Sequence, residues 1–218
     1  MKQENIILPH FFLEAYSQGI FPMAESKHHD KIIWIKPKKR GIIPIGNLHI
    51  SKSLKKKIKR NNFYCSINKE FNFILTHCSN REETWINETL KNSYIRLFNL
   101  GFCHSIEIWE KKEIIGGLFG VVLGSCFFAE SMFSLKNDGS KIALVSLMAR
   151  LVEGNFQLLD TQFSSSHLNS MGGVEISQKK YEIYLKKNIE LESNFFKLKN
   201  NDDWGNQMQL ASTKSYLG

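Results

Sequence analysis

Between Leu8 and Gly19 the apolar residues Phe11, Phe12, Ala15 and Tyr16 recur at helical spacing, and Gly19 stands where such a helix ends, so a short helix is expected over 8–19. The following IFPMAESKHHD reads as loop, KIIWIKP as a short strand closed by Pro37, and 41–47, with Pro44 and Gly46, as a boundary region. SKSLKKKIKR opens on a serine cap and is expected to be a basic helix. NFYCSIN alternates like a strand, EFNFILTHCS is helical, and Ile86, Leu90, Tyr94, Leu97 and Phe98 place a helix over 85–100 that stops at Gly101. Three strand-like runs follow, 104–110, 113–123 and 125–134, joined by the tight links EKKE and LGS, which predicts an antiparallel meander. A strongly periodic helix over 140–154 comes next, then a strand over 156–162, a short capped helix within 164–173, a strand VEIS and a helix over 181–192. The last twenty residues are polar and without period, so a loose or docked tail is expected there. Antiparallel strands followed by helix, strand and helix make an α+β layout. The expected organisation is a small N-terminal domain (1–45), a larger domain (46–195) and a polar tail (196–218).

Composition narrows the class. With 42% hydrophobic and 12% aromatic residues over 218 positions, a globular core is expected. The chain has no run of eighteen apolar residues, and its first residues lack the apolar core of a signal peptide, so the expected location is the cytosol. Four widely spaced cysteines and an isolated His28-His29 pair form no ligand pattern, and no metal is expected. The net charge of +8 is unevenly spread: 27–60 holds twelve Lys and Arg against one acid, Asp30. Concentrated charge of this kind favours a polyanion partner over a merely solvated surface.

The chemistry-bearing residues lie later. FFAESMFS places one carboxylate, Glu130, among apolar neighbours, where an unpaired charge is costly. Strict alternation would put Phe128, Glu130 and Met132 on one face of the strand, with Arg150 on the following helix as a candidate structural partner. In LLDTQ, Asp160 and Gln162 are two apart on a strand and face the same way, so a carboxylate can orient an amide. The three glycines of GGLFG point to a bulge or to the close approach of a ligand or another chain segment. Trp85, at a helix start after a charged loop, is either a packing staple or a stacking platform.

Taken in order, GIFPMAE, IIWIKPKKRGIIPI, HISKSLKK, REETWI, LGFCHSIEIWE, IIGGLFGVVLG, FFAESMFS, GSKIAL, LLDTQ and LNSMGGVEIS resemble the bacterial leucyl/phenylalanyl-tRNA–protein transferases over about residues 10 to 185. The resemblance implies an N-acetyltransferase-like (GNAT-like) fold with a mainly antiparallel sheet, preceded by a small N-terminal domain. It implies transfer of Leu or Phe, with Met as a further candidate, from tRNA to an N-terminal Arg or Lys, marking the acceptor for N-degron degradation. An aminoacyl ester is already activated, so no cofactor is expected. On the same basis Asp160 and Gln162 are the expected catalytic pair, and Glu130 is expected to meet the donor's α-ammonium. Leu118, Met132, Leu144, Leu147 and Leu151 are the expected pocket wall. Trp85 is expected to stack on the terminal adenine. Met23 stands where many members carry a tryptophan, the second stacking surface, and Trp34 is a candidate substitute. Lys52, Lys55, Lys56, Lys59 and Arg60 are the expected phosphate contacts of the tRNA. A monomer is the default.

Two other classes stay open at this stage. An acyl-CoA N-acetyltransferase shares the fold but needs a glycine-rich pyrophosphate loop, which KNDGSKIA forms poorly. A non-catalytic RNA-binding module is compatible with the basic segment but leaves Glu130, Asp160 and Gln162 without a task.

Overall fold

In the computed structural model, residues 6–60, 62–81, 84–199 and 203–213 are described. Helix α1 (Pro9–Ser17) is followed by β1 (Phe21–Ala24) and β2 (Ile32–Ile35), which pair antiparallel as a separate two-stranded sheet. Then come β3 (Lys39–Ile43), α2 (Lys52–Arg60), β4 (Phe63–Ile67), α3 (Phe71–Ser79) and α4 (Glu88–Asn99). The meander follows as β5 (Cys103–Glu110), β6 (Glu113–Leu123) and β7 (Cys126–Ser134). The chain ends with α5 (Gly139–Glu153), β8 (Leu158–Gln162), α6 (Ser166–Ser170), β9 (Val174–Ser177), α7 (Gln178–Asn188) and α8 (Trp204–Ala211).

Seven strands form one sheet in the order β4-β5-β6-β7-β8-β3-β9. Every neighbouring pair is antiparallel except β7 and β8, which the crossover helix α5 joins in parallel. The fold is therefore α+β with a mainly antiparallel sheet, a layout consistent with the N-acetyltransferase-like expectation. Each face of the sheet buries its own apolar cluster. Leu54 and Ile58 of α2, the α5 stripe and Trp204, Met208 and Ala211 of α8 cover one face. Side chains from α1, α3, α4 and α7 cover the other.

Three segments differ from the sequence reading. IFPMAESKHHD is not all loop, because Phe21–Ala24 pairs with β2. The expected boundary region at 41–47 begins inside β3, which lies between β8 and β9 in the large sheet even though it falls within 1–45. The polar tail, expected to be loose or docked, is docked and differs in containing a helix, α8, held by buried Trp204, Met208 and Ala211, with the Trp204 indole donating to the Phe63 carbonyl at 2.8 Å. Residues 200–202 and 214–218 of that tail lie outside the described residues, as do Glu82 and Glu83 of REETWINE.

Candidate active site

Two irregularities in the ladders shape the site. Along β6 and β7, Phe119 pairs with Ser131 and Gly120 with Ala129, so Glu130 is the extra residue of a β-bulge. The bulge changes the side-chain phase. Phe128 and Phe133 pack into one cluster, while Phe127, Ala129 and Met132 pack against the other. The expected shared face of Phe128, Glu130 and Met132 is thereby corrected: the inserted residue keeps Glu130 on the side of Phe128 and sends Met132 through to the side of α5. Gly120 permits this turn of the ladder, since a Cβ there would overlap the Phe128 carbonyl and the Phe127 ring. The glycines of GGLFG thus admit the protein's own chain.

The second irregularity lies between β3 and β8, where Gly41 pairs with Gln162 and Ile42 with Asp160, leaving Thr161 unpaired. A Cβ on Gly41 would come within 2.7 Å of the Phe163 carbonyl carbon, so the turn closes against bare backbone. Gln162 itself has φ 63°, a left-handed conformation that L-residues seldom adopt.

Pairing between β7 and β8 runs only from Cys126–Leu158 to Phe128–Asp160. Past that point the parallel ladder stops, and a recess of about 190 Å³ opens, lined among others by Leu118, Glu130, Met132, Leu144, Thr161 and Leu168, with Arg81 at its side. Glu130 is 6% exposed. Its Oε1 accepts from the Tyr16 hydroxyl at 2.6 Å and from Gln162 Nε2 at 3.0 Å, and its Oε2 accepts from the Tyr94 hydroxyl at 2.6 Å. All three donors are neutral. Burial pushes the Glu130 carboxyl up to about 7, although these hydrogen bonds pull the other way. Burial, followed by the nearby Glu130 charge, also raises both tyrosines well above their ordinary value.

Asp160 lies one strand away and is fully buried. Its carboxylate accepts two bonds from Arg40 Nε, at 2.8 and 3.1 Å, and one from Nη2 at 2.7 Å. The Tyr181 hydroxyl donates to Oδ2 at 2.6 Å, and the Gln162 backbone N–H donates to Oδ1 at 2.7 Å. Asp160 therefore orients Gln162 through its main chain, while the Gln162 side-chain amide reaches across to Glu130. Both side chains have partners on the face covered by α1, α4 and α7, but the unpaired Thr161 separates those partners: Asp160 meets Arg40 and Tyr181, and Gln162 meets Glu130.

Of the five expected wall residues, Leu118, Met132 and Leu144 line the recess. Leu147 and Leu151 are fully buried in the same packed cluster as Leu144, further along α5 beneath the sheet, and do not line it. Arg150 is not the partner of Glu130; its Nη1 donates to the carbonyls of Phe195 and Leu198. Trp85 is half-buried with its ring edge-on to Tyr94 at 6.3 Å, and its carbonyl accepts from the Ala24 N–H at 3.0 Å, beside half-buried Met23. Trp34 is 42% exposed on β2, opposite Pro22 in the register. On α2, Lys52, Lys55, Lys56, Lys59 and Arg60 are exposed, while Leu54 and Ile58 anchor the other side. Lys57, between them, is held by the Asn137 carbonyl at 2.6 Å and Asp138 at 3.1 Å, which ties the basic helix to the start of α5.

The sequence reading missed Tyr16, Arg40, Tyr94, Arg81, Thr161, Leu168 and Tyr181. Arg40 was hidden in KPKKR, a run that reads as surface charge. Its one local signal is its place as the last basic residue before the apolar GIIPI.

The α+β sheet thus opens between two parallel strands onto a largely apolar recess with a buried carboxylate in its wall and the Gln162 amide bonded to that carboxylate. The family profile described as leucyl/phenylalanyl-tRNA protein transferase matches residues 42–186, and that of the family's N-terminal domain matches residues 7–38. A leucyl/phenylalanyl-tRNA–protein transferase of Zymomonas mobilis is 43% identical over 211 residues, covering 95% of this chain and 78% of its own length. Proteins of the same description from Ruegeria pomeroyi and Afipia carboxidovorans are 43% and 44% identical over 187 and 196 residues, covering 86% and 88% of this chain and 89% and 86% of their own lengths. The chain belongs to the leucyl/phenylalanyl-tRNA–protein transferase family. Among the described residues, no helix is long and apolar enough to cross a membrane.

Proposed function

We propose that this protein transfers leucine or phenylalanine from aminoacyl-tRNA to the N-terminal Arg or Lys of an acceptor protein, marking it for N-degron degradation. The observation that carries this reading is the recess itself, where a buried carboxylate with only neutral donors sits at the edge of an apolar cavity. An aminoacyl ester offers the matching pair, an α-ammonium for Glu130 and an apolar side chain for Leu118, Met132 and Leu144. Leu and Met are unbranched at Cβ, and methionine adapts its shape, which suits a wall that takes both a branched aliphatic and a ring.

The reaction forms a bond from the acceptor nitrogen to the ester carbonyl carbon and breaks the bond from that carbon to the ribose oxygen. The proton lost by the amine ends on the ribose oxygen, directly or through water. Holding amine and ester together supplies most of the acceleration. With Nε2 of Gln162 committed to Glu130, Oε1 is the end of the amide that accepts from the attacking amine. An amide is a weak base, so Gln162 aligns the amine and does not keep its proton. Asp160 acts behind it, through the Gln162 backbone. Trp85 and Met23 face the terminal adenine, with base stacking on the aromatic ring contributing about 1–3 kcal/mol. The five exposed cations of α2 meet backbone phosphates, which position the tRNA without reading its sequence.

The test is transfer of labelled phenylalanine from Phe-tRNA to two peptides that differ only at the N-terminus, Arg against acetylated Arg. Label on the free-amine peptide alone is the expected result. Retained tRNA binding with no label on either would replace this reading with that of a binding module.

A further inference from the structure

We propose that Arg40 is a positioning residue for the transfer reaction: without touching the recess, it sets the placement of the two donors that share Glu130 Oε1. The proposal rests on the reading of Glu130 and Gln162 as the groups that meet the substrates.

Those two donors come from distant parts of the chain. Tyr16 lies on the last turn of α1, and Gln162 ends β8. Arg40 is 1% exposed and bonds to both segments. Its Nη1 donates to the Gly19 carbonyl at 3.0 Å, just past the end of α1, at a glycine with φ 73°. Its Nε and Nη2 grip Asp160, whose Oδ1 in turn accepts the Gln162 N–H. The central carbon of the guanidinium lies over the rings of Phe21 and Tyr181, 4.7 and 4.5 Å from their centroids. One planar cation thus links the end of α1 to the turn after β8.

The turn needs such support. A non-glycine residue held at positive φ is strained and persists only where its surroundings over-determine it. At Gln162 the determinant is the bond from its N–H to Asp160, and Asp160 is aimed by the three bonds from Arg40 and the one from Tyr181. Lysine cannot reproduce this. An ammonium is a point charge, whereas the guanidinium presents a fork to the carboxylate and a further N–H to Gly19 in one fixed plane.

The test compares Arg40→Lys, Tyr181→Phe and a stability control, Met208→Ala on α8, with the wild type. The readouts are kcat and KM for Phe-tRNA, melting temperature, and the pH midpoint of kcat/KM. Arg40→Lys is expected to lower kcat by about tenfold or more, the equivalent of one charge-assisted hydrogen bond, with KM for Phe-tRNA little changed. Its pH midpoint moves upward, because Glu130 loses well-placed donors that favour the ionised form. Tyr181→Phe moves both readouts in the same direction by less. Met208→Ala lowers the melting temperature and leaves the midpoint in place.

A folded Arg40→Lys protein with wild-type kcat and midpoint overturns the proposal. So does a loss of kcat that Met208→Ala reproduces at an equal fall in melting temperature, with no movement of the midpoint. If Arg40→Lys does not fold, Tyr181→Phe decides: an upward midpoint supports the proposal and an unmoved one overturns it. Wild-type protein that transfers no label breaks the underlying reading of Glu130 and Gln162 instead.

Discussion

Glu130 and Asp160 lie on adjacent parallel strands, both buried, and the protein treats them in opposite ways. Asp160 is matched by a forked cation and further hydrogen bonds from Tyr181 and the Gln162 backbone. Glu130 receives two phenols and one amide, all neutral, and opens onto a cavity. A buried carboxylate with its cation in place is part of the frame. One without a cation, at the wall of a recess, is a place where a cation from outside gains most. Glu107 sharpens the point. It too is buried and, among the described residues, accepts from the neutral donors Ser66 and Ser105, each at 2.5 Å, yet it does not line the recess that Glu130 borders. Burial and neutral partners alone do not make a binding group; access does.

Asp160→Asn tests this contrast with the largest expected effect. It leaves Arg40 buried without its counter-charge, and breaking a buried pair in this way costs about 3–5 kcal/mol. For a chain of this size that lowers the melting temperature by roughly 10 °C. Glu130→Gln removes a buried charge that has no counter-charge, so its melting temperature at pH 8 should equal or exceed that of the wild type. Equal losses for the two variants would show that the carboxylates do the same structural work and break the comparison.

In activity the informative contrast is between Glu130 and Glu107. Glu130→Gln is expected to lower kcat/KM for Phe-tRNA by about 10–100-fold, the worth of a hydrogen bond to a charged group. Glu107→Gln, which changes the other carboxylate of this kind, is expected to leave transfer within about twofold of wild type, as a substitution away from the site. Transfer assays at fixed acceptor concentration separate the two.

The pH dependence follows from the raised Glu130 carboxyl. It titrates near 7 in the folded protein, against an ordinary carboxyl value of 4.5. The folded state therefore holds its proton over a range in which the unfolded state has lost it. The stabilising contribution is complete below 4.5 and is lost as pH rises through 7. The span corresponds to about 3 kcal/mol at 1.36 kcal/mol per unit. On the proposed role, in which the ionised form holds the donor ammonium, activity runs the other way and kcat/KM should rise through pH 7. Glu130→Gln should flatten both the stability slope and that limb, leaving only the limb of the acceptor's own α-amine, near pH 8.

How much of this was legible in the sequence depended on range. The meander β5-β6-β7, the periodic α5 and the capped α6 announce themselves through local spacing and turn residues, and they were read correctly. Glu130 was also legible as a buried carboxylate, because one carboxylate among aromatics breaks an apolar run. Its bulge was not, since a one-residue insertion between Ala129 and Ser131 leaves no mark on a stretch whose two faces are both largely buried. β3 was obscured by the Pro and Gly that follow it and by the basic run that precedes it, and only its partners β8 and β9 reveal it as a strand. Arg40, Tyr16, Tyr94 and Tyr181 are separated in sequence from the carboxylates they serve, and nothing local distinguishes them from surface charge or core aromatics. In α8 the spacing of Trp204, Met208 and Ala211 was present, but polar neighbours diluted it.

The smallest effect concerns the basic helix, and it extends the comparison from buried charge to exposed charge. Lys52, Lys55, Lys56, Lys59 and Arg60 of α2 face solvent, while Leu54 and Ile58 are the buried residues of the helix and Lys57 ties it to the start of α5. Lys55→Ala and Lys59→Ala should therefore leave the melting temperature within about 0.5 kcal/mol of wild type, as surface substitutions usually do. Each should weaken tRNA binding and reduce the slope of log affinity against log salt by about 1 if that side chain neutralises a phosphate. Lys57 is the internal control on the same helix. Its ammonium already meets the Asn137 carbonyl and Asp138, so Lys57→Ala should disturb the junction of α2 with α5 more than it disturbs the salt slope. A salt slope that responds to Lys57 as strongly as to Lys55 and Lys59 would mean that binding follows the net charge of the helix, not the exposed row of cations.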